Sequence, residues 1–289
     1  MAMMTAEPEQ PWRRVGRRAG RGAAATLASA LLLSACAGGM PGADAPRAAP
    51  LACAPQPPAG AMVPAMVVAA EAEWRAFGQP VVDFRGGAPS LNPAGLDETD
   101  SRVRARLQLY WRAASDDHGL KMGASDVPEL SPWSAAFISY VACAAGVSPA
   151  DLPPASRHLD YVDHVIFRAI RTPDDPTARF VPAEPMATAL RPGDLLCADR
   201  GRSDGAPELD RWEDRAAEVI AARQSGWDTR PRGMHCDLVV RVGPGTIAAI
   251  GGNVRDRVAM SLFPADPLGR PVPVTGTPHW FVTLAAIDR

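Results

Sequence analysis

The pattern of apolar and polar positions changes along the chain. In residues 97–115, apolar side chains such as Leu107, Tyr110 and Trp111 recur at three- and four-residue intervals, which predicts a helix with one buried face. From residue 191 onward the pattern becomes short apolar runs separated by Gly and Pro, which predicts strands joined by turns. Helices come first and an antiparallel meander second, so the predicted fold class is α+β, with N-terminal helices packed on an antiparallel sheet.

Five helices and five strands are predicted from these patterns. The helices are 66–77, 97–115, 131–145, 156–170 and 208–223, and the strands are 191–198, 234–242, 246–254, 257–263 and 279–287. The third helix has the clearest start, because Ser131 is a good N-cap and Pro132 suits the first helical position. This start places Trp133 and Ser134 in the first turn.

The N-terminus has the pattern of an export signal. Residues 1–35 contain a basic stretch, a short apolar run and then small residues. The segment "LSAC", which ends at Cys36, resembles the lipobox of bacterial lipoproteins, and this resemblance implies cleavage before Cys36 and acylation of its thiol. Ala37 after the cysteine implies an outer-membrane lipoprotein that faces the periplasm. The alternative is an ordinary secretory signal with an incidental cysteine.

The mature part is predicted to be a tether followed by one domain. Residues 36–65 are rich in Pro, Ala and Gly and contain few large apolar groups, so they are predicted to form a flexible tether. Residues 66–289 are predicted to form a single α+β domain.

Charge and cysteine content limit the partners and cofactors. The chain has 30 basic and 32 acidic residues, and the first 35 hold five arginines and two glutamates, which leaves 25 basic and 30 acidic residues. This balance argues against a nucleic-acid partner. No Cys-x-x-Cys pair or His-x-x-x-His spacing is present, and we expect no metal, nucleotide or haem. Disulfides are compatible with export; their pairing is open, with Cys197–Cys236 one possibility.

Four short motifs occur in a fixed order between residues 133 and 254. They are "WSAAFIS", "PGDL", "HCD" and "GGNV". This series resembles an uncharacterised bacterial domain family with the same segments. It is also similar to the papain-like cell-wall hydrolases of the CHAP and NlpC-type superfamily. The second resemblance implies a papain-like fold, with Ser134 at the nucleophile position, His235 as general base and Asn253 as the residue that orients the imidazole.

The sequence departs from that hydrolase pattern at the nucleophile. The hydrolases have a cysteine, which can attack as a thiolate beside a histidine, whereas Ser134 must lose its proton during the attack. Each site residue also has a structural alternative. Ser134 could be an ordinary first-turn residue, His235 a hydrogen-bonded wall residue, and Asn253 a turn residue with positive φ.

Several neighbouring residues are candidates for substrate binding. Asp237 shares a strand face with His235 and could bind a ligand or tune the imidazole. Trp133 could stack on a sugar, although packing is the alternative. Tyr161 lies on a predicted helix with Arg157, His158 and His164, a group that forms either a cleft wall or a solvated polar face.

The expected function follows from the resemblance. It is a lipid-anchored cell-envelope hydrolase that cleaves an amide bond of peptidoglycan or a related substrate through Ser134, His235 and Asn253. The alternative is an inactive envelope protein that keeps the cleft and binds peptidoglycan. The sequence leaves the oligomeric state open.

Overall fold

A computed structural model describes residues 51–86, 88–114, 132–201, 205–226, 229 and 231–288. The predicted export signal, Cys36 and the predicted N-cap Ser131 lie outside these residues. Within them, no helix is both long enough and apolar enough to span a membrane.

The described residues form five helices and one eight-stranded sheet, which confirms the α+β class. The helices are α1 (Met62–Ala76), α2 (Arg104–Ala114), α3 (Ser134–Ala144), α4 (His158–Arg171) and α5 (Trp212–Ser225). The strands are β1 (Val81–Asp83), β2 (Ser90–Leu91), β3 (Phe180–Ala183), β4 (Leu195–Asp199), β5 (Met234–Gly243), β6 (Thr246–Gly251), β7 (Ala259–Pro264) and β8 (His279–Ala286).

The sheet is mostly antiparallel. Its strand order is β2-β1-β7-β6-β5-β4-β8-β3, and β1 with β7 is the parallel pair. The central strands β4 to β7 follow the predicted meander. Three short strands of two to four residues each, β1, β2 and β3, are not predicted from the sequence.

Two buried clusters occupy the two faces of the sheet. Leu238 and Ile250 belong to the larger cluster, which also includes the buried faces of α1 to α4, whereas Val239 and Ala249 belong to the smaller one. This division follows from the alternation of side chains along a strand. Helix α3 is central to the larger cluster, because nine of its eleven residues are buried.

The folded domain begins earlier than the predicted tether boundary at residue 65. Helix α1 begins at Met62, and a disulfide joins Cys53 to Cys143 of α3. The Ala54 amide also donates to the Cys143 carbonyl at 3.0 Å. The last part of the segment predicted as tether therefore packs on the domain. A second disulfide joins Cys197 of β4 to Cys236 of β5, which confirms that possible pairing.

Candidate active site

Ser134 is hydrogen-bonded to a histidine other than the predicted base. Ser134 is the first residue of α3, and its Oγ lies 2.6 Å from Nε2 of His158, the first residue of α4. Both side chains are buried, with residue exposures of 6% and 4%. Among the described residues, Ser134 has no hydrogen bond to His235. The partner predicted for Ser134 is thus corrected from His235 to His158.

His158 is held from its other side by Tyr161. The His158 Nδ1 and the Tyr161 hydroxyl are hydrogen-bonded, one helical turn apart on α4. Burial lowers the pKa of His158 well below its ordinary value of 6.5, and the charges of His235 and Arg200 lower it further. Burial also raises the pKa of Tyr161 well above 10.0, with a further contribution from Asp237. At neutral pH the pair is therefore a neutral imidazole against a neutral phenol.

His235 forms a separate pair with Asp237 on β5. His235 Nε2 lies 2.9 Å from Asp237 Oδ1, which bears out the prediction that the two side chains share a face. The rings of His235 and His158 meet edge to face with centroids 5.3 Å apart. Nδ1 of His235 is buried and has no hydrogen-bond partner among the described residues. The contact between the two histidine rings thus places a hydrogen-bonded Ser-His-Tyr series (Ser134, His158 and Tyr161) beside a His-Asp pair (His235 and Asp237).

The two glycines of "GGNV" make room for this arrangement. A Cβ on Gly251 would lie 1.8 Å from Asp237 Oδ1, and a Cβ on Gly252 would lie 2.4 Å from the Phe137 Cβ. Larger residues would therefore collide with the Asp237 carboxylate or with α3. The motif serves the site by allowing this close approach.

Asn253 does not occupy the predicted orienting position. Its φ is +56°, and it begins a turn in which Arg255 and Asp256 also have positive φ. No hydrogen bond joins Asn253 to His235 in the described part of the chain, and Asp237 is the residue that bonds the imidazole. The alternative interpretation, a turn residue that tolerates positive φ, describes Asn253 correctly.

Trp133 and Tyr161 are core residues. Trp133 is 1% exposed, packs near Phe77 and Tyr110, and donates from Nε1 to Glu98 Oε2 at 2.7 Å. Its ring has no open face for a sugar, so the packing alternative holds and the predicted stacking role is corrected. Tyr161 is fully buried and contacts His158. It therefore supports the site from behind and does not contact solvent.

A cavity of about 460 Å³ lies next to His235. Of the residues in the Ser-His-Tyr series and the His-Asp pair, His235 lines it. Its other walls come from a residue after β3, from the end of β4 and the segment after it, and from the start of β8 and the segment before it: Met186, Ala198, Asp199, Arg200, Glu208, Asp210, Pro273, Val274, Thr277, Pro278, His279 and Trp280. The histidine ring therefore stands between the cavity and His158.

Alternating charges connect this cavity to α4. Asp199 Oδ2 accepts from Arg232 at 2.8 Å, and Arg232 also pairs with Glu218 of α5. Glu218 in turn pairs with Arg215, whose guanidinium binds Asp163 of α4 at 2.7 Å. Because these side chains are largely buried, the network holds α4, α5 and the start of β5 together.

The site contains no metal-binding group among the described residues. No set of three or more His, Cys, Asp or Glu side chains there is arranged to hold a metal ion. Cys143 and Cys236 are each bonded in a disulfide and are not free thiols.

The fold and this site define an α+β domain in which a helix-borne serine, a buried histidine and a tyrosine are hydrogen-bonded beside a His-Asp pair. The protein belongs to a family described as an uncharacterized protein conserved in bacteria (DUF2272), whose model matches residues 101–282. This match confirms the expected membership of an uncharacterised bacterial domain family. No curated protein and no solved structure matches the chain significantly.

Proposed function

We propose that the protein is a lipid-anchored hydrolase of the bacterial cell envelope that cleaves an amide bond of peptidoglycan or a related polymer. The observation that carries the proposal is the 2.6 Å contact between Ser134 Oγ and His158 Nε2 at the start of α3. The order of the four sequence motifs, which resembles that of papain-like cell-wall hydrolases, supports the same class of reaction. The two disulfides are consistent with a compartment outside the cytoplasm.

The proposed chemistry assigns the base to His158. The neutral imidazole accepts the Ser134 proton as Oγ attacks the carbonyl carbon. This requires the tautomer with hydrogen on Nδ1, which then donates to the Tyr161 oxygen. The imidazolium gives its proton to the leaving amine, and water then releases the acyl group from Ser134 with His158 again as base. The first N–H groups of α3, which have no side-chain cap in the described part of the chain, are suited to stabilise the oxyanion.

The burial of Ser134 favours a second candidate function. With 6% exposure, Ser134 does not line the cavity, so a substrate reaches it only if the neighbouring side chains move. In a binding protein, the Ser134–His158 bond would be structural and a ligand would occupy the cavity beside His235. This alternative keeps the envelope location and omits turnover.

Digestion of purified peptidoglycan separates these functions and the two candidate bases. We expect the full chain in detergent to release soluble fragments, and Ser134→Ala and His158→Gln to lower the rate by about 100-fold or more. Ser225→Ala on α5 and His164→Gln on α4 are matched controls that should retain the wild-type rate. Loss of activity in His235→Gln with full activity in His158→Gln would overturn the assignment of the base. Binding without turnover by the wild type would establish the binding protein instead.

A further inference from the structure

The cavity beside His235 is lined by side chains of both charges. Arg200 follows β4 and remains exposed, and within the described residues its guanidinium makes no hydrogen bond or ion pair. Partial burial of the guanidinium lowers the pKa of Arg200, and the nearby Asp237 carboxylate, which is itself bonded to His235, acts in the opposite direction. Arg200 therefore gives the cavity a positive group that is free to bind a carboxylate.

The acidic wall is formed by Glu208 and Asp210. Both carboxylates approach His279: Asp210 Oδ1 lies 3.0 Å from Nε2 and Glu208 Oε2 lies 3.6 Å from Nδ1. The side chain of Asp210 is 80% exposed and that of Glu208 is 34% exposed. They therefore keep free oxygens for a second cation.

Asp199 fixes the two walls relative to each other. It is 2% exposed and accepts from the Leu209 amide at 2.8 Å, the Gly201 amide at 3.2 Å and Arg232 at 2.8 Å. The Leu209 bond holds the segment with Glu208 and Asp210 beside the end of β4, where Arg200 begins. The cavity is thus a preformed site with both charges anchored to one buried residue.

We infer that this cavity binds a zwitterionic ligand of the size of a short peptide, with a carboxylate on Arg200 and an ammonium group on Glu208 and Asp210. The apolar wall of Ala198, Val274 and Trp280 suits the small side chains between the two charged ends. A volume of about 460 Å³ lies within the range of small-molecule sites. That this ligand is the substrate or product of the reaction rests on the proposed function; its binding does not.

Capped dipeptides test both charges. Titration calorimetry on the full chain in detergent would compare alanylalanine with its C-terminal amide and its N-acetyl form. We expect each cap to weaken binding by about 10-fold, because each removes one charge-assisted contact. Absence of binding, or equal binding of all three peptides, would overturn the inference.

Substitutions assign each charge to its wall. In Arg200→Gln, the free acid and the amide should bind equally weakly, while the penalty for acetylation remains. In the double variant Glu208→Gln, Asp210→Asn, the free peptide and its N-acetyl form should bind equally weakly, while the C-terminal amide still binds more weakly than the acid. Arg171→Gln, at an exposed arginine that lies over Phe167 of α4, is the matched control and should bind as the wild type does. If Arg200→Gln weakens the acid and the amide by the same factor, the arginine does not bind the carboxylate.

The Ser134→Ala variant distinguishes failure of this inference from failure of the proposed function. We expect it to bind alanylalanine with wild-type affinity, since Ser134 lies behind His235. Peptide binding by a protein that digests no peptidoglycan would overturn the proposed function and leave the cavity assignment intact. If the protein binds no dipeptide and substitution of Arg200 or Asp210 leaves its digestion of peptidoglycan unchanged, the cavity assignment is overturned and the proposed function stands.

Discussion

At the scale of single residues, the site depends on how closely backbone and carboxylate approach each other. Gly251 ends β6 directly against Asp237, so its missing side chain determines where the carboxylate can lie. Asp237 in turn fixes the His235 ring through a 2.9 Å hydrogen bond. A substitution at Gly251 therefore tests the packing of the site without changing any polar group.

Gly251→Ala should destabilise the protein by about 1–3 kcal/mol, because its Cβ would lie 1.8 Å from Asp237 Oδ1 and the carboxylate must move. Gly243→Ala at the end of β5 is the control, since a Cβ there meets nothing within 4 Å. Urea denaturation of both variants measures the difference. Equal stabilities for the two variants would contradict the close approach.

The buried neutral His158 predicts a pH dependence of stability. Its pKa is well below 6.5 in the folded protein, so as pH falls below about 6.5 the unfolded chain takes up a proton that the folded protein excludes. The free energy of unfolding should therefore fall by up to about 1.4 kcal/mol per pH unit from this residue, and the contribution should vanish above about pH 7.

Comparison with His158→Gln isolates this effect. Burial raises the pKa of Asp194 to about 6, which acts in the opposite direction: its stabilising contribution is lost as pH rises from 3.8 through 6. That contribution is common to both proteins and cancels in their difference. Urea denaturation between pH 5 and pH 8 should show a steeper acid decline for the wild type, and parallel curves would exclude the neutral buried imidazole.

The sequence offers Ser134 as a candidate nucleophile but does not indicate which histidine is hydrogen-bonded to it. Ser134 and His158 are 24 positions apart on different helices. No local pattern in the sequence indicates which histidine lies next to α3 in the folded protein. The available signal was the three-residue spacing of His158 and Tyr161, which places both on one helical face. His235 with Asp237 could be predicted as a pair, because alternation along a strand is a local property.

At the scale of elements too, the sequence predicts the structures that have a local pattern and does not predict those that depend on remote contacts. All five helices have an apolar period or clear end signals, and their bounds agree with the predicted ones to within four residues, except that α2 begins at Arg104 and not at residue 97. Strands β1 to β3 contain at most four residues each; β1 pairs with the remote strand β7 and β3 with the remote strand β8, and β2 joins the sheet through β1. Such contacts depend on the whole fold and leave no local pattern.

The junction of α1, α2 and α3 is held by a buried carboxylate. Glu73 of α1 is 3% exposed and accepts from Arg106 at 2.7 Å, from the Tyr110 hydroxyl at 2.5 Å and from the Tyr140 hydroxyl at 3.3 Å. The three helices therefore share one acceptor, and its loss leaves the buried Tyr110 hydroxyl without this partner.

Glu73→Ala should lower the free energy of unfolding by about 2–4 kcal/mol, because it opens the buried network among three helices. The control is Glu71→Ala on the same helix, which removes an i,i+4 pair with Arg75 at the surface and should cost about 0.5 kcal/mol or less. Guanidinium denaturation measures both. A cost for Glu73→Ala no larger than that for Glu71→Ala would show that the network adds no stability.

At the scale of the whole molecule, the two disulfides fasten the domain at two points, one on α3 and one within the sheet. Cys53–Cys143 closes a loop of 90 residues and fixes the N-terminal segment on α3, the helix that begins with Ser134. Cys197–Cys236 joins β4 to β5 next to His235 and the cavity. The attachment at Cys53 lies only 17 residues after Cys36, so an anchor at Cys36 would hold the domain within a short distance of the membrane.

Acylation of Cys36 predicts in which cell fraction the protein is found. If the Cys36 thiol is acylated, its acyl chains supply the membrane affinity, since each buried methylene contributes about 0.8 kcal/mol. Cys36→Ser should therefore move the protein from the membrane fraction to the soluble fraction of the cell envelope. Cys53→Ser is the matched control, because it removes a cysteine and a disulfide but leaves the lipobox intact, and it should stay with the membrane. Continued membrane association of Cys36→Ser would show that the N-terminal segment is retained as an uncleaved signal or that another surface of the protein binds the membrane.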